Sequence, residues 1–456
     1  LAAPIVACSL LVLLWLGSLS RPLFQAPYSR VLFDRDGRLL AASIASDEQW
    51  RFPPGRADLP KRYVTALLAF EDRRFYRHPG VDPIAVARAL VSNLVAGEIV
   101  SGGSTITMQV ARLARGNRPR TYPEKLAEAS LALRMELAWD KPTIIRRFAS
   151  HAPFGGNVVG IEAASWRYFG RSLRELTWAE AALLAVLPNS PSLMHLSHSR
   201  DELRAKRDRL LEELHEDGDL STQELELALL EPLPEEPRPV PQAAMHLLHT
   251  LAQRNPDIWR FRTTLDAAMQ ARATEIVSQH GDALRRSGAS HAAAVVLDVR
   301  TGATLAYVGN LPPRDPVGSG DLVDIIRAPR STGSLLKPLL YAAMLDAGEL
   351  LPDQLVADIP TRIGGYVPLN HTHVFSGAVP ASEALARSLN VPAARLLRDH
   401  GVPRFYGLLK DVGFTGLNRT ASEYGIPLIL GGAESTLWEL TGVYASMGRT
   451  VLARDH

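Results

Sequence analysis

A Pro-rich, acidic strip, Leu233 to Pro241 (LPEEPRPVP), divides the chain into two stretches of different periodicity. Before it, from Lys61 to Glu231, apolar residues recur at helical spacing, with helices expected at Arg174 to Leu187 and Glu202 to Leu214. After it, His291–Asp298 (HAAAVVLD) and Ala303–Gly309 (ATLAYVG) read as strands joined by the turn Val299-Arg300-Thr301-Gly302. Helices are expected to follow at Leu335–Leu345 and Glu383–Leu389. The chain therefore reads as a helical body and then a mixed α/β body that starts near Phe261. Its 456 residues suffice for both, and 46% apolar with 21% charged residues excludes a disordered chain, a collagen and a multi-span transporter. The net charge is only +2, so no global field points to nucleic acid.

Leu1 to Ser20 carries no charge before Arg21, and about 20 apolar residues can cross a bilayer as a helix. An uncleaved transmembrane anchor is the expectation, with a cleaved signal peptide as the alternative. No later stretch reaches spanning length without a charge, so the remainder should form one soluble body on one side of a membrane. Val31 to Trp50 alternates and turns at Asp34-Arg35-Asp36-Gly37, as a hairpin does. Asp82-Pro83 should start a helix that Gly97 closes. The apolar stripe Ile84, Ala87, Val91, Leu94 and Val95 on that helix leaves room for close approach of a neighbour at Ala87. The expected divisions are an anchor at 1–20, a juxtamembrane hairpin or linker at 21–50, a first domain at 51–200, a helical and Pro-rich linker at 201–260 and a second domain at 261–456. The single cysteine, Cys8, cannot build a disulfide framework or a Cys-based zinc site. His371 and His373 sit two apart, which suits two faces of a loop better than one metal. The first residue is Leu1, so the start is expected to be clipped.

Phe70-Glu71-Asp72-Arg73-Arg74-Phe75-Tyr76-Arg77-His78-Pro79-Gly80 gathers acid, base and aromatic residues just before a helix. Alone, it could be a solvated charged turn. A second stretch, Ser101-Gly102-Gly103-Ser104-Thr105-Ile106-Thr107-Met108-Gln109-Val110, frees the backbone at two glycines and offers Ser104 and Thr105 as caps. A helix N-terminus attracts phosphate oxygens, and Arg112, Arg115, Arg118 and Arg120 form a basic run that could pair with a pyrophosphate.

Together these stretches resemble the glycosyltransferase domain of the class A penicillin-binding proteins. The pattern E-D-x-x-F-x-x-H-x-G is matched by Glu71, Asp72, Phe75, His78 and Gly80, and G-G-S-T-[IL]-[TS]-x-Q from Gly102 through Gln109. Glu124-Lys125-Leu126-Ala127-Glu128 corresponds to R-K-x-x-E, with Glu124 where the family has arginine and Ala127 where it usually has a second basic residue. Phe154-Gly155 through Ala164 and Tyr168-Phe169-Gly170 match later signatures. The resemblance implies a mostly α, lysozyme-like domain that polymerises lipid II into glycan strands by inverting transfer. It implies Glu71 as the base that takes the sugar hydroxyl proton and Glu128 as a second carboxylate on the leaving pyrophosphate. Glu128 would act directly or through a divalent cation (Mg2+ or Mn2+). Asp72, Phe75, His78, Gly103, Ser104, Thr105, Gln109, Arg112 and Arg120 are implied to bind donor phosphates and sugar. Glu136 is read as structural.

Ser334-Leu335-Leu336-Lys337 is an SxxK tetrad; on a helix, residues three apart share a face, so the amine could reach the hydroxyl. A desolvated lysine is a plausible base, and this chain has only six lysines. With Ser388-Leu389-Asn390 it resembles the α/β, β-lactamase-like transpeptidase domain of the same family. That resemblance implies Ser334 as nucleophile toward a D-Ala-D-Ala peptide or a penicillin, Lys337 as its activator, and Ser388 and Asn390 as proton relay and amide holder. A Lys-Thr-Gly motif is absent before His456, so the domain is expected to be incomplete, clipped at both ends and unable to crosslink. Details such as Ala152–Asn157 look most like the 1C branch. The resemblance further implies a single-pass protein of the bacterial inner membrane with its catalytic domains on the periplasmic side, partnered by lipid II, glycan, penicillins and other cell-wall synthesis proteins. Two other readings are a serine acyl hydrolase on a helical scaffold and a non-catalytic cell-wall scaffold.

Overall fold

In the computed structural model of the chain, which describes residues 23–55, 58–96, 103–119, 121–189, 200–311 and 322–454, Asp34 closes the expected hairpin. Its Oδ1 accepts the backbone N–H groups of Asp36 and Arg38 at 2.9 and 2.8 Å. The strands so joined, β1 (Arg30–Phe33) and β2 (Leu39–Ser43), are antiparallel. A second small sheet has the order β3 (Trp50–Arg51), β5 (Val158–Val159), β4 (Pro153–Gly155). The first sheet is completed from far along the sequence: β6 (Arg260–Arg262) runs parallel to β1, with Val31 opposite Arg260. The chain divides into two units, through Thr263 and from Thr264.

The first unit is helical: α1 (Lys61–Glu71), α2 (Pro83–Ala96), α3 (Ile106–Ala114), α4 (Tyr122–Ala138), α5 (Lys141–His151), α6 (Ile161–Tyr168), α7 (Trp178–Val186), α8 (Arg200–Glu216), α9 (Thr222–Leu230) and α10 (Met245–Arg254). Every residue of α7 after Trp178 is buried, and a reciprocal Thr177–Glu180 capping box sets its start. The helix expected from Arg174 is therefore shorter, with only a 3-10 turn at Leu173–Glu175 before it. One core runs from Val31 and Phe33 through Tyr63, Leu67, Phe75, Ile106, Met135 and Phe148. It continues into Leu203, Leu210, Leu211, Leu214, Ala228, Leu233 and Val240. Residues 201–260, expected as a linker, thus supply part of the core. The Pro-rich strip is also tied down: Arg207 Nη1 donates to Glu231 O at 2.6 Å and Arg200 Nη1 to Pro234 O at 2.9 Å.

Helix α2 begins as expected, with Asp82 Oδ1 accepting the Ile84 N–H at 3.0 Å. Its apolar stripe does not turn inward, however: Ile84, Ala87, Val91 and Leu94 are exposed. The close approach falls at Gly103 instead, where a Cβ would lie 2.8 Å from Val86 Cα. Leu1–Ser20, Gly97 and Arg120 lie outside the described residues, among which no helix is long and apolar enough to cross a membrane.

The second unit is mixed. Helix α11 (Ala267–Arg286) lies against the antiparallel pair β7 (Ala294–Leu297) and β8 (Thr304–Val308), and Gln270 accepts from the Tyr307 N–H and donates to Tyr307 O. Strand β9 (Arg330–Ser331) leads into α12 (Lys337–Asp346), then β10 (Leu355–Asp358), β11 (Gly377–Pro380), α13 (Ala381–Ala386), α14 (Asn390–His400), α15 (Val402–Asp411), α16 (Ala421–Tyr424), β12 (Glu434–Ser435) and α17 (Leu437–Arg454). β10 pairs with β11 and β9 with β12, both antiparallel. Leu336, Leu340, Tyr341, Leu397, Phe405 and Ile429 centre its own core.

Candidate active sites

Helix α1 seats Tyr63, Ala66 and Leu67 in the core, at spacings of three and four, and the chain leaves it at Asp72 (φ −162°). Glu71 therefore projects from the last turn. Its Oε2 accepts Gln109 Nε2 at 2.6 Å, while Oε1 is buried without a partner. Burial pushes the Glu71 carboxyl above the ordinary carboxylate range; the Gln109 bond lowers it and the Asp72 charge raises it further.

Two backbone segments are locked together around this carboxyl. Asp72 accepts the Ile106 N–H at 3.1 Å and His78 Nε2 at 3.0 Å. Thr105 caps α3 by accepting the Met108 N–H at 3.2 Å and donates to Gly80 O at 2.5 Å. Gly80 is required there: φ is +94° and a Cβ would stand 2.9 Å from Ala132 O. Asp72, Phe75, His78 and Thr105, expected to bind substrate, are buried, and the polar groups of Asp72, His78 and Thr105 engage protein partners. They set the backbone. Ser104 is half-buried and Gly103 buried at the start of α3.

Arg112 lies three residues beyond Gln109, on the same face of α3. Its Nε and Nη2 reach Glu128 Oε1 and Oε2 at 2.8 and 3.0 Å, and Glu128 is only 2% exposed. Neighbouring side chains of α3 thus hold both expected carboxylates, Glu71 from α1 and Glu128 from α4. Glu124 is taken up by Arg115 at 2.5 and 3.1 Å, a second guanidinium–carboxylate fork between α3 and α4. Lys141 was not singled out from sequence. Its Nζ donates to His78 O and Glu136 Oε1 at 2.7 and 2.9 Å and sits 4.2 Å from the Phe75 ring centre. Glu136 also accepts Thr107 Oγ1 at 2.6 Å, which gives it a bracing place. The rarity of lysine was the one signal that could have marked Lys141.

Both Glu128 oxygens are occupied by Arg112, and among the described residues no three carboxylate, imidazole or thiolate groups cluster as metal ligands. A divalent cation at Glu128 would have to displace the Arg112 guanidinium.

In the second unit Ser334 is exposed and lies in the turn before α12, not on the helix as expected from the tetrad. The Lys337 N–H returns to Ser334 O at 3.1 Å, and Gly333, at φ +52°, lets the chain turn here. Lys337 is 1% exposed, and its amine points to the other motif, donating to Ser388 O, Ser388 Oγ and Asn390 Oδ1 at 2.7, 3.2 and 2.7 Å. Those contacts use all three ammonium protons. Burial brings the Lys337 pKa down to about 8. Ser388 follows α13 at φ +53°, a left-handed conformation that a serine rarely adopts. The helix expected to reach Leu389 ends instead at Ala386. His371 and His373 are both exposed.

Residues 36–215 match the family model described as Transglycosylase, and residues 292–427 the one described as Penicillin binding protein transpeptidase domain. Penicillin-binding protein 1C of Escherichia coli (strain K12) is 36% identical over 94% of this chain and 55% of that protein. Penicillin-binding protein 1F of Bacillus subtilis (strain 168) is 28% identical over 89% and 57%, and penicillin-binding protein 1B of Vibrio cholerae 30% over 86% and 52%. The chain spans just over half the length of these relatives. A transglycosylase match followed by a transpeptidase match, with the 1C protein at 36% identity, places this chain among the class A penicillin-binding proteins, most like the 1C branch.

Proposed function

We propose that the first unit polymerises lipid II into glycan strands by an inverting transfer. The observation that carries this is Glu71: a buried carboxyl at a helix end, one oxygen held by Gln109 and the other unpartnered. The acceptor sugar hydroxyl gives its proton to Glu71 Oε1 as its oxygen bonds to the donor's anomeric carbon. The bond from that carbon to the pyrophosphate breaks on the opposite face. A raised pKa makes the Glu71 carboxylate a stronger base toward the hydroxyl proton. Arg112 and Arg115 stand near as cations for the departing diphosphate, each already balanced by a carboxylate that the donor must displace. Ser104, and Arg120 outside the described residues, complete the proposed donor grip.

The same unit is proposed to lie on the bacterial inner membrane, periplasmic side, with Leu1–Ser20 as its single-pass anchor. Support comes from exposed apolar side chains on two helices: Val91 and Leu94 (74% exposed) on α2, and Tyr122 (85%), Leu126 and Leu137 on α4. Apolar side chains of this kind suit a surface that meets lipid. The second unit is proposed as a serine acyltransferase module acting on D-Ala-D-Ala peptides and penicillins. Neutral Lys337 would take the Ser334 proton, directly or through Ser388. The test is polymerisation of lipid II by detergent-solubilised protein: the wild type should form glycan and Glu71→Gln should not. Equal turnover by the two rejects Glu71 as base.

A further inference from the structure

Three groups must converge on Lys337 Nζ: the Ser388 carbonyl, its hydroxyl and Asn390 Oδ1. Two of these belong to Ser388, which is held at a positive φ that a serine keeps only where its surroundings impose it. Asn390 opens α14, where Leu389 at the N-cap offers no side-chain cap. The first N–H groups of that helix have no partner within it.

They find one outside. Asn370 Oδ1 accepts the N–H of Asn390 at 3.0 Å and of Val391 at 3.2 Å, acting as a cap supplied from another loop. Asn390 Nδ2 then donates to Leu369 O at 2.9 Å, so the neighbouring backbone fixes the amide's orientation and turns Oδ1 toward the lysine. Asn370 is itself fixed. Its Nδ2 donates to Asp358 Oδ1 at 2.7 Å and to Val374 O at 3.0 Å. Asp358, 0% exposed on β10, accepts the Ser376 N–H on its other oxygen at 2.8 Å. Asn370 is 2% exposed, so neither residue can touch a substrate. A buried carboxylate with hydrogen bonds on both oxygens is a fixed post.

We propose that Asp358 and Asn370 are positioning residues: through the Asn390 and Val391 amides they hold Ser388 and Asn390 onto Lys337. Neither sequence motif contains them. The proposal rests on the reading of Lys337 as the activator of Ser334, but its test does not need acyl transfer.

The test measures covalent modification of the Lys337 amine by an amine-reactive reagent at fixed pH, relative to Lys410 in the same chain, by peptide mass spectrometry. Asn370→Asp sets a carboxylate against Asp358 and should raise the Lys337 rate about tenfold, the scale of one or two lost charge-assisted hydrogen bonds. The exchange D358N/N370D restores a donor from position 358, an acceptor for the α14 amides and an acceptor for the Ser376 N–H, and loses only the bond to Val374 O. It should bring the Lys337 rate at least severalfold back down toward the wild type. An unchanged Lys337 rate in N370D overturns the proposal, as does a double variant that remains as reactive as N370D. If N370D fails to fold, the double variant alone decides, by recovering Lys337 protection or failing to. Fluorescent-penicillin labelling of Ser334 in parallel reports separately on the acyl-transfer reading.

Discussion

Glu71 and Lys337 are each displaced from their ordinary titration by burial, in opposite senses. Glu71 holds its proton more tightly folded than unfolded, so its contribution to stability falls as pH rises through that raised pKa. Glu71→Gln should therefore lower glycan polymerisation by about 10²–10⁴-fold. The same change should raise stability at pH 7 by about 0.5–2 kcal/mol, read by thermal denaturation. Loss of both activity and stability would mean that the side chain is a packing element. Lys337 has its folded pKa lowered to about 8, so the unfolded chain binds more protons between that pH and about 10.4, and stability gains from this group as pH rises across the window. Its amine-modification rate should show an inflection near 8. An inflection at the ordinary lysine value, about 10.4, would reject the buried placement.

At the level of elements, α3 is the organiser of the first site: Gln109, Arg112 and Arg115 each carry a carboxylate from another helix. Arg112→Ala leaves Glu128 charged and buried, and should cost about 3 kcal/mol in chemical denaturation. Arg112→Met with Glu128→Leu should recover most of that loss, since both charges leave together. Gly103→Ala should push α2 off the start of α3, because its Cβ would meet backbone, lowering both melting temperature and polymerisation. How much of this could be read from sequence depended on range. The caps at Asp82 and Thr105 were legible because a short side chain bonds a backbone group two or three residues away. The brace of Lys141, Glu136, Thr107 and His78 O was not, because it exists only after three helices have packed. The stripe Leu203, Leu210, Leu211 and Leu214 was hidden in a strongly charged helix, RDELRAKRDRLLEELHE, which is why a core element read as linker. The tetrad Ser334–Lys337 looked helical because spacing alone cannot locate where a helix starts.

For the whole molecule, the two cores share no residue: one ends at Val240 and the other begins at Leu336. Calorimetry should resolve two transitions, with Arg112→Ala lowering only the first unit's and Asn370→Asp only the second's; a single transition shifted by both would reject this independence. The exposed apolar residues of α2 and α4 yield a separate expectation. In a chain shortened by Leu1–Ser20, Leu94→Glu with Leu126→Glu should reduce flotation with anionic phospholipid vesicles at least severalfold while leaving the melting temperature within a degree or two. Unchanged flotation would assign vesicle binding to other parts of the chain.

The pairing of β1 with β6 has a temporal consequence. Thr263 Oγ1 donates to Phe33 O across 230 positions of sequence. During synthesis at about 5–20 residues per second, the first strand waits tens of seconds for its parallel neighbour, after nearly all the helices of its unit have been made. Until then one edge of the nascent hairpin stands open, so a released chain that ends between α9 and α10 should present a protease-sensitive hairpin on a helical body.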